Sequence, residues 1–242
     1  MFRKIYSVCI TSPLIIVATI VMGSFSFVAS FFDSTGRSQH AVARFWSRIL
    51  LAVSGVKVIA EGIEKIDPNR GYVLVANHSS YMDIPVIMAL VPLQFRFFAK
   101  KGLFQVPFMG THLNRAGHIP VDRHDVRASL KSMGEGARLI REKNVSVLLF
   151  PEGGRSVDKL GDFKEGTAFI AIKAGVPAVP IGLEGMRSIM KMHTAFIHPG
   201  TVHLRVGDPI DTSQMTLKDR EALTRELREK IAVLCGEPQA VS

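Results

Sequence analysis

The sequence predicts an α/β domain with a mostly buried central sheet covered by helices, preceded by an N-terminal membrane-associated helical segment. Three observations predict this. After Ser54-Gly55, short β-rich runs alternate with amphipathic helical patterns. Several of those runs are apolar at every position, as expected of strands covered on both faces. And no charged residue occurs from Val8 to Phe32. The implied organisation is a membrane-associated segment over 1–54, an α/β domain over 55–236 and a frayed tail over 237–242.

The chain has 242 residues, of which 47% are hydrophobic, enough for one sizeable core. Lys and Arg number 30 against 21 Asp and Glu, a formal charge of +9. That balance suits anionic partners: nucleic acid, phosphorylated metabolites or an anionic membrane surface. With one Trp, three Tyr and no basic run interleaved with aromatics, a nucleic-acid stacking platform is poorly supported. Cys9 and Cys235 sit at opposite ends, so neither a Cys/His zinc cluster nor a disulfide framework is expected, and a reducing setting fits the main domain.

The apolar run is flanked by Arg3 and Lys4 and closed by Asp33. About 20 apolar residues span the hydrocarbon core as a helix. A cleaved signal peptide, a single span, and a shallow hairpin broken near Gly23–Ser26 all fit the run. His40–Val53 then places Arg44 and Arg48 beside Phe45 and Trp46 at helical spacing. Such a helix lies at a headgroup interface or packs on the domain. Basic residues on both flanks favour both ends facing the cytoplasm, hence a helix pair dipping into one leaflet on the cytoplasmic side of the inner membrane.

Strands are predicted at Val56–Ala60, Tyr72–Ala76, Arg96–Ala99, Ile119–Val121, Val145–Phe150, Ala178–Leu183 and Val202–Val206. Helices are predicted at Asp83–Leu90, Arg127–Glu142, Thr167–Ala174 (stopped by Gly175 and Pro177) and about Leu217–Leu234. Pro180 inside a strand marks an edge or a bulge. Arg96 reads as a solvated charge at a strand end, and Lys101 is open to the same reading.

Chemistry concentrates after two apolar strands. Asn77 and His78 directly follow the first, and ligands in open α/β sheets sit beyond the carboxyl ends of strands. Asp83, five residues on, can return to the imidazole, fix its tautomer and leave the other nitrogen as a base. A capping or structural His–Asp contact fits the same spacing. Ser79 and Ser80 read as helix-start residues. The second strand ends in Phe150-Pro151-Glu152-Gly153-Gly154-Arg155-Ser156, where paired glycines let backbone approach a ligand closely.

The string Asn77-His78-Ser79-Ser80-Tyr81-Met82-Asp83 resembles the Asn-His-x4-Asp signature of the glycerolipid acyltransferase family. Further blocks follow in the family's order. The strand ending Ala99-Lys100 and the close Gly117 to Arg123 resemble the second, and Phe150 to Ser156 the third, with Gly154 in place of the usual Thr. Phe163-Lys164-Glu165-Gly166 and Val176–Ile181 resemble the closing segments. The resemblance covers roughly Val56 to Val206. It implies His78 as catalytic base with Asp83 as partner, and Glu152, Gly153 and Arg155 at the glycerol phosphate. Lys100 and Arg123 are candidates for the same phosphate, since an ammonium and a forked guanidinium suit its oxygens. It implies an acyl-CoA or acyl carrier protein co-substrate, no further cofactor, lysophosphatidic acid as acceptor and membrane lipids as partners. Rival readings are another acceptor (glycerol 3-phosphate, lyso-ornithine lipid, lysophospholipid), a non-catalytic lipid-binding protein, and a basic nucleic-acid module.

Overall fold

A computed structural model describes residues 7–106, 109–122, 125–192, 194 and 196–237. Arg3, Lys4, Pro107, Arg123 and the tail from Pro238 onward lie outside the described residues.

A π-helical turn, Ser7–Thr11, leads into α1 (Ser12–Ala29), and a short turn joins it to α2 (Arg37–Val53). The α/β layers follow as β1 (Val56–Glu61), β2 (Val73–Ala76), α3 (Asp83–Leu90), β3 (Phe95–Lys100), α4 (Met109–Arg115), β4 (Ile119–Val121), α5 (Val126–Lys143) and β5 (Ser146–Leu149). Then come α6 (Gly166–Ala174), β6 (Ala178–Glu184), α7 (Met186–Ile189), β7 (Gly200–Val206) and α8 (Arg220–Leu234). One seven-stranded sheet runs β1-β7-β6-β2-β5-β3-β4. β6, β2, β5, β3 and β4 are parallel, while β7 pairs antiparallel with β6 and carries β1 parallel to itself.

Side chains alternate across a strand, so an all-apolar strand feeds two cores at once. In β2, Leu74 and Ala76 join Leu148, Val179 and Ile181 beneath residues of α2, α3 and α7. Val73 and Val75 join Val147 and Ala178 on the other face, beneath α5, α6 and α8. Each of these strand residues is fully buried. Pro180 lies opposite Val75 in interior β6, not at an edge. There the β6–β7 register jumps from Ile181↔Val206 to Ala178↔Ile210, one extra residue on the β7 side. That is a bulge, a position where a sheet tolerates proline.

Two expectations are corrected. The apolar run does not break at Gly23–Ser26, because α1 continues to Ala29 and the chain reverses over residues 30–36. Arg96 is not solvated. It is 4% exposed and its Nη2 donates to the Thr35 carbonyl at 2.7 Å. Burial lowers its pKa to about 10. α2 packs through Leu50 and Leu51 yet leaves Phe45 exposed, and Ser7–Ala29 is long and apolar enough to cross a membrane. Arg44 fixes α2 to the domain by donating to the Met88, Val91 and Leu93 carbonyls at 3.3, 2.6 and 2.8 Å. Those groups lie at or just past the C-terminal end of α3, where backbone carbonyls lack helical partners.

Candidate active site

Parallel strands deliver their following loops to one edge of the sheet, and β2 and β5 are neighbours. The loops carrying His78 and Glu152 are therefore adjacent although the residues are 74 apart in sequence. Asn77 anchors the first loop: its amide donates to the Leu183 carbonyl at 2.9 Å and its oxygen accepts from Leu183 N–H at 2.8 Å. β2 is thereby extended sideways onto β6 just before the chain turns away.

Asp83 opens α3, where a carboxylate is favoured by the helix dipole. It is fully buried, and its Oδ2 accepts from Ser79 N–H at 2.7 Å, Ser80 N–H at 2.8 Å and His78 Nδ1 at 2.8 Å. Two backbone amides thus aim the oxygen at the imidazole, and a donor on Nδ1 defines the tautomer that leaves Nε2 as the basic nitrogen. The ring stacks on Phe150, centroids 4.0 Å apart at 19°, which fixes its plane. Ser80 Oγ donates to the Met190 carbonyl and accepts from Met82 N–H, so its hydroxyl is structural.

Glu152 is taken up by the protein itself. Oε1 accepts the His78 backbone N–H at 2.6 Å; Oε2 accepts from Gly161 N–H at 2.9 Å and from the Ser156 hydroxyl. Ser156 N–H in turn donates to the His78 carbonyl at 2.8 Å. The His78 peptide is held from both sides by one loop. Gly153 has φ +72°, and a Cβ there would meet Lys164 at 3.0 Å, so the turn needs glycine and brings an ammonium close beside it. Arg155 lies 4.0 Å from the Tyr81 ring centroid, and its Nε donates to the Ser80 carbonyl at 3.3 Å.

His78, Asp83, Glu152, Gly153 and Arg155 are therefore gathered in one place. Lys100 ends β3 at the same edge, two strands or about 10 Å along from β2, and is exposed. Lys101 is exposed and pairs with Asp122 at 3.8 Å. Arg123 lies outside the described residues. Sequence reasoning passed over Phe150, Ser156 and Gly161 as parts of the site. Only the position of Phe150 at the end of an apolar strand hints at its contact.

A buried imidazole–carboxylate pair beside a glycine loop, at the carboxyl edge of a parallel sheet, is equipped for general-base chemistry on a bound substrate. Residues 57–184 match the family model described as Acyltransferase, and the chain belongs to that family. It is 33% identical over 209 residues to the chloroplastic 1-acyl-sn-glycerol-3-phosphate acyltransferase LPAT1 of Arabidopsis thaliana, covering 85% of this chain and 56% of that protein. It is 38% identical over 181 residues to a 1-acyl-sn-glycerol-3-phosphate acyltransferase of Chlamydomonas reinhardtii, covering 72% of this chain and 53% of the relative. The chain thus spans little more than half the length of these relatives. The crystal structure of the 1-acyl-sn-glycerophosphate acyltransferase PlsC from Thermotoga maritima superposes with a TM-score of 0.79 at 27% identity, over 95% of this chain and 94% of that one.

Proposed function

We propose that this chain transfers an acyl group from an acyl thioester of coenzyme A or acyl carrier protein to the free hydroxyl of 1-acyl-glycerol-3-phosphate, forming phosphatidic acid at the cytoplasmic face of a membrane. The observation that carries the reading is the 2.8 Å contact between His78 Nδ1 and the doubly amide-bonded Asp83 Oδ2. It leaves Nε2 to take the proton of the acceptor hydroxyl as the oxygen attacks the thioester carbonyl. The tetrahedral oxyanion then expels the thiolate, which recovers the proton from the imidazolium, giving ester and thiol. Asp83 stabilises the transient imidazolium and does not itself take the proton. Arg155 binds the acceptor phosphate, with Lys100 and Arg123 as further candidate cations. Gly153 gives the backbone room to approach it. Glu152 serves the acceptor indirectly, by ordering the His78 peptide, because its oxygens already accept three protein donors. The names of the relatives and the exposed apolar face of α1 support the lipid substrate.

The test is transfer of a radiolabelled acyl chain from acyl-CoA and from acyl carrier protein to a panel of lysophosphatidic acid, glycerol 3-phosphate, a lyso-ornithine lipid and a lysophospholipid, with vesicles present. Highest kcat/KM on lysophosphatidic acid is expected. A higher value on another acceptor would replace the acceptor. Lack of transfer to any of them would leave a lipid-binding protein.

A further inference from the structure

A second basic site lies at the opposite edge of the sheet. A cavity of about 450 Å³ opens between α2 and the segment before β3, lined by Arg37, Arg44, Phe45, Arg48, Pro92 and Gln94 among others. Gln94 immediately precedes β3, whereas His78 follows the far end of parallel β2. The strand length separates the two by roughly 20 Å.

Arg37, Arg44 and Arg48 stand seven and four residues apart, so they share one stripe of α2, within about 40° around its axis. From Ser34 to Ala60 the sequence contains no acidic residue, and among the described residues no carboxylate lines the cavity. Asp33, the acid of the preceding turn, is occupied by the backbone and hydroxyls of Thr35 and Ser38. Arg44 is held rigidly by three carbonyls, which are dipoles and leave its positive charge uncompensated. Burial and the Arg48 charge both push its pKa down, the sign of a site short of negative charge. His40, also in the wall, is kept neutral by burial, its pKa lowered to about 4.

We propose that this cavity binds the phosphate of an anionic phospholipid headgroup at a site separate from the acceptor site. Guanidinium forks match phosphate oxygens, and the volume is that of a ligand pocket. The same chemistry would accept free phosphate. The apolar surroundings select the lipid: Phe45 is 56% exposed on the rim, and Phe31 and Phe32 are exposed on the turn just before Arg37. An acyl chain can cover those rings, and a free anion cannot.

The test is sedimentation of the full purified chain with phosphatidylcholine vesicles, with and without phosphatidylglycerol. Binding is scored without turnover, so failure of the acyltransferase reading leaves it untouched. The variant is Arg37→Gln with Arg48→Gln, two exposed residues, which spares the structural Arg44. The control is Lys218→Gln with Arg225→Gln, two exposed cations, one just before α8 and one in its second turn. Affinity for phosphatidylglycerol vesicles should fall about 30-fold in the α2 variant, from the usual contribution of each cation near an anionic surface. Binding to pure phosphatidylcholine and the control should change little. An equal loss in the control would mean diffuse electrostatics and overturn the site, as would an unchanged α2 variant. Binding of inorganic phosphate in solution as tight as that of the vesicles would overturn the lipid assignment.

Discussion

Replacing Glu152 with Gln separates a residue that holds the His78 peptide from one that touches substrate. The amide keeps one acceptor oxygen and gains a donor. If the oxygen stays on His78 N–H, the new NH2 faces Gly161 N–H, which now donates to Oε2 at 2.9 Å. Two donors then confront each other. The change removes one charge-assisted bond and leaves one part-buried amide unpaired, about 3 kcal/mol together. For a domain of this size that is a Tm lower by about 6–12 °C. The Gly161 bond that seats the Glu152 side chain against the His78 peptide is lost, so that clamp loosens, and a displacement of about 1 Å at a reacting group costs up to ~100-fold in rate. The expected result in a detergent-solubilised assay with matched thermal melts is therefore a large fall in kcat, a lower Tm and an unchanged acceptor KM. A raised acceptor KM with kcat and Tm intact would falsify this assignment and put Glu152 on the substrate.

Asp83→Asn should lower kcat by about 100-fold or more while the fold survives. An Asn oxygen can still accept from Ser79, Ser80 and His78, so the tautomer is kept and only the charge opposing the imidazolium is lost; wild-type kcat in a folded variant would remove the base assignment. Arg44→Met retains the apolar stem but frees three carbonyls. It should cost about 2–3 kcal/mol and make the α1–α2 hairpin more susceptible to proteolysis, and an unchanged Tm would show that the carbonyl bonds do not hold it. Acid should loosen the same region. Unfolded His40 takes a proton at pKa 6.5 but the folded side chain only near 4, so between those values the unfolded state holds more protons and stability drops as pH falls. For His40 the loss reaches about 3 kcal/mol near pH 4, and buried His118, shifted the same way, adds to it. If His40→Asn melts with the same pH profile as wild type, His40 has no part in it.

Elements governed by local pattern were legible in the sequence itself. The seven strands fall within two residues of their apolar runs, and α3 occupies Asp83–Leu90 as its pattern indicates, because side-chain periodicity and helix stop signals act over a few residues. The His78–Asp83 pair was legible for the same reason, being closed by one turn. What had no local signature was decided by tertiary structure. β7 inserts between β1 and β6, parallel to the first and antiparallel to the second, a pairing choice that strand propensity cannot express. Arg96 is an ordinary strand-end cation by sequence and becomes buried because the 30–36 turn and the turn at Gly117 close over it. α1 runs through Gly23–Ser26 although glycine and serine weaken a helix locally. The His78 N–H that Glu152 accepts lies 74 residues away, just past β2, and is brought adjacent by the β2–β5 ladder. The sequence determined the spacing of His78 and Asp83 and where the strands lie. Which groups meet across the sheet edge depended on strand order, a property of the packed whole in which long-range burial outweighs local preference.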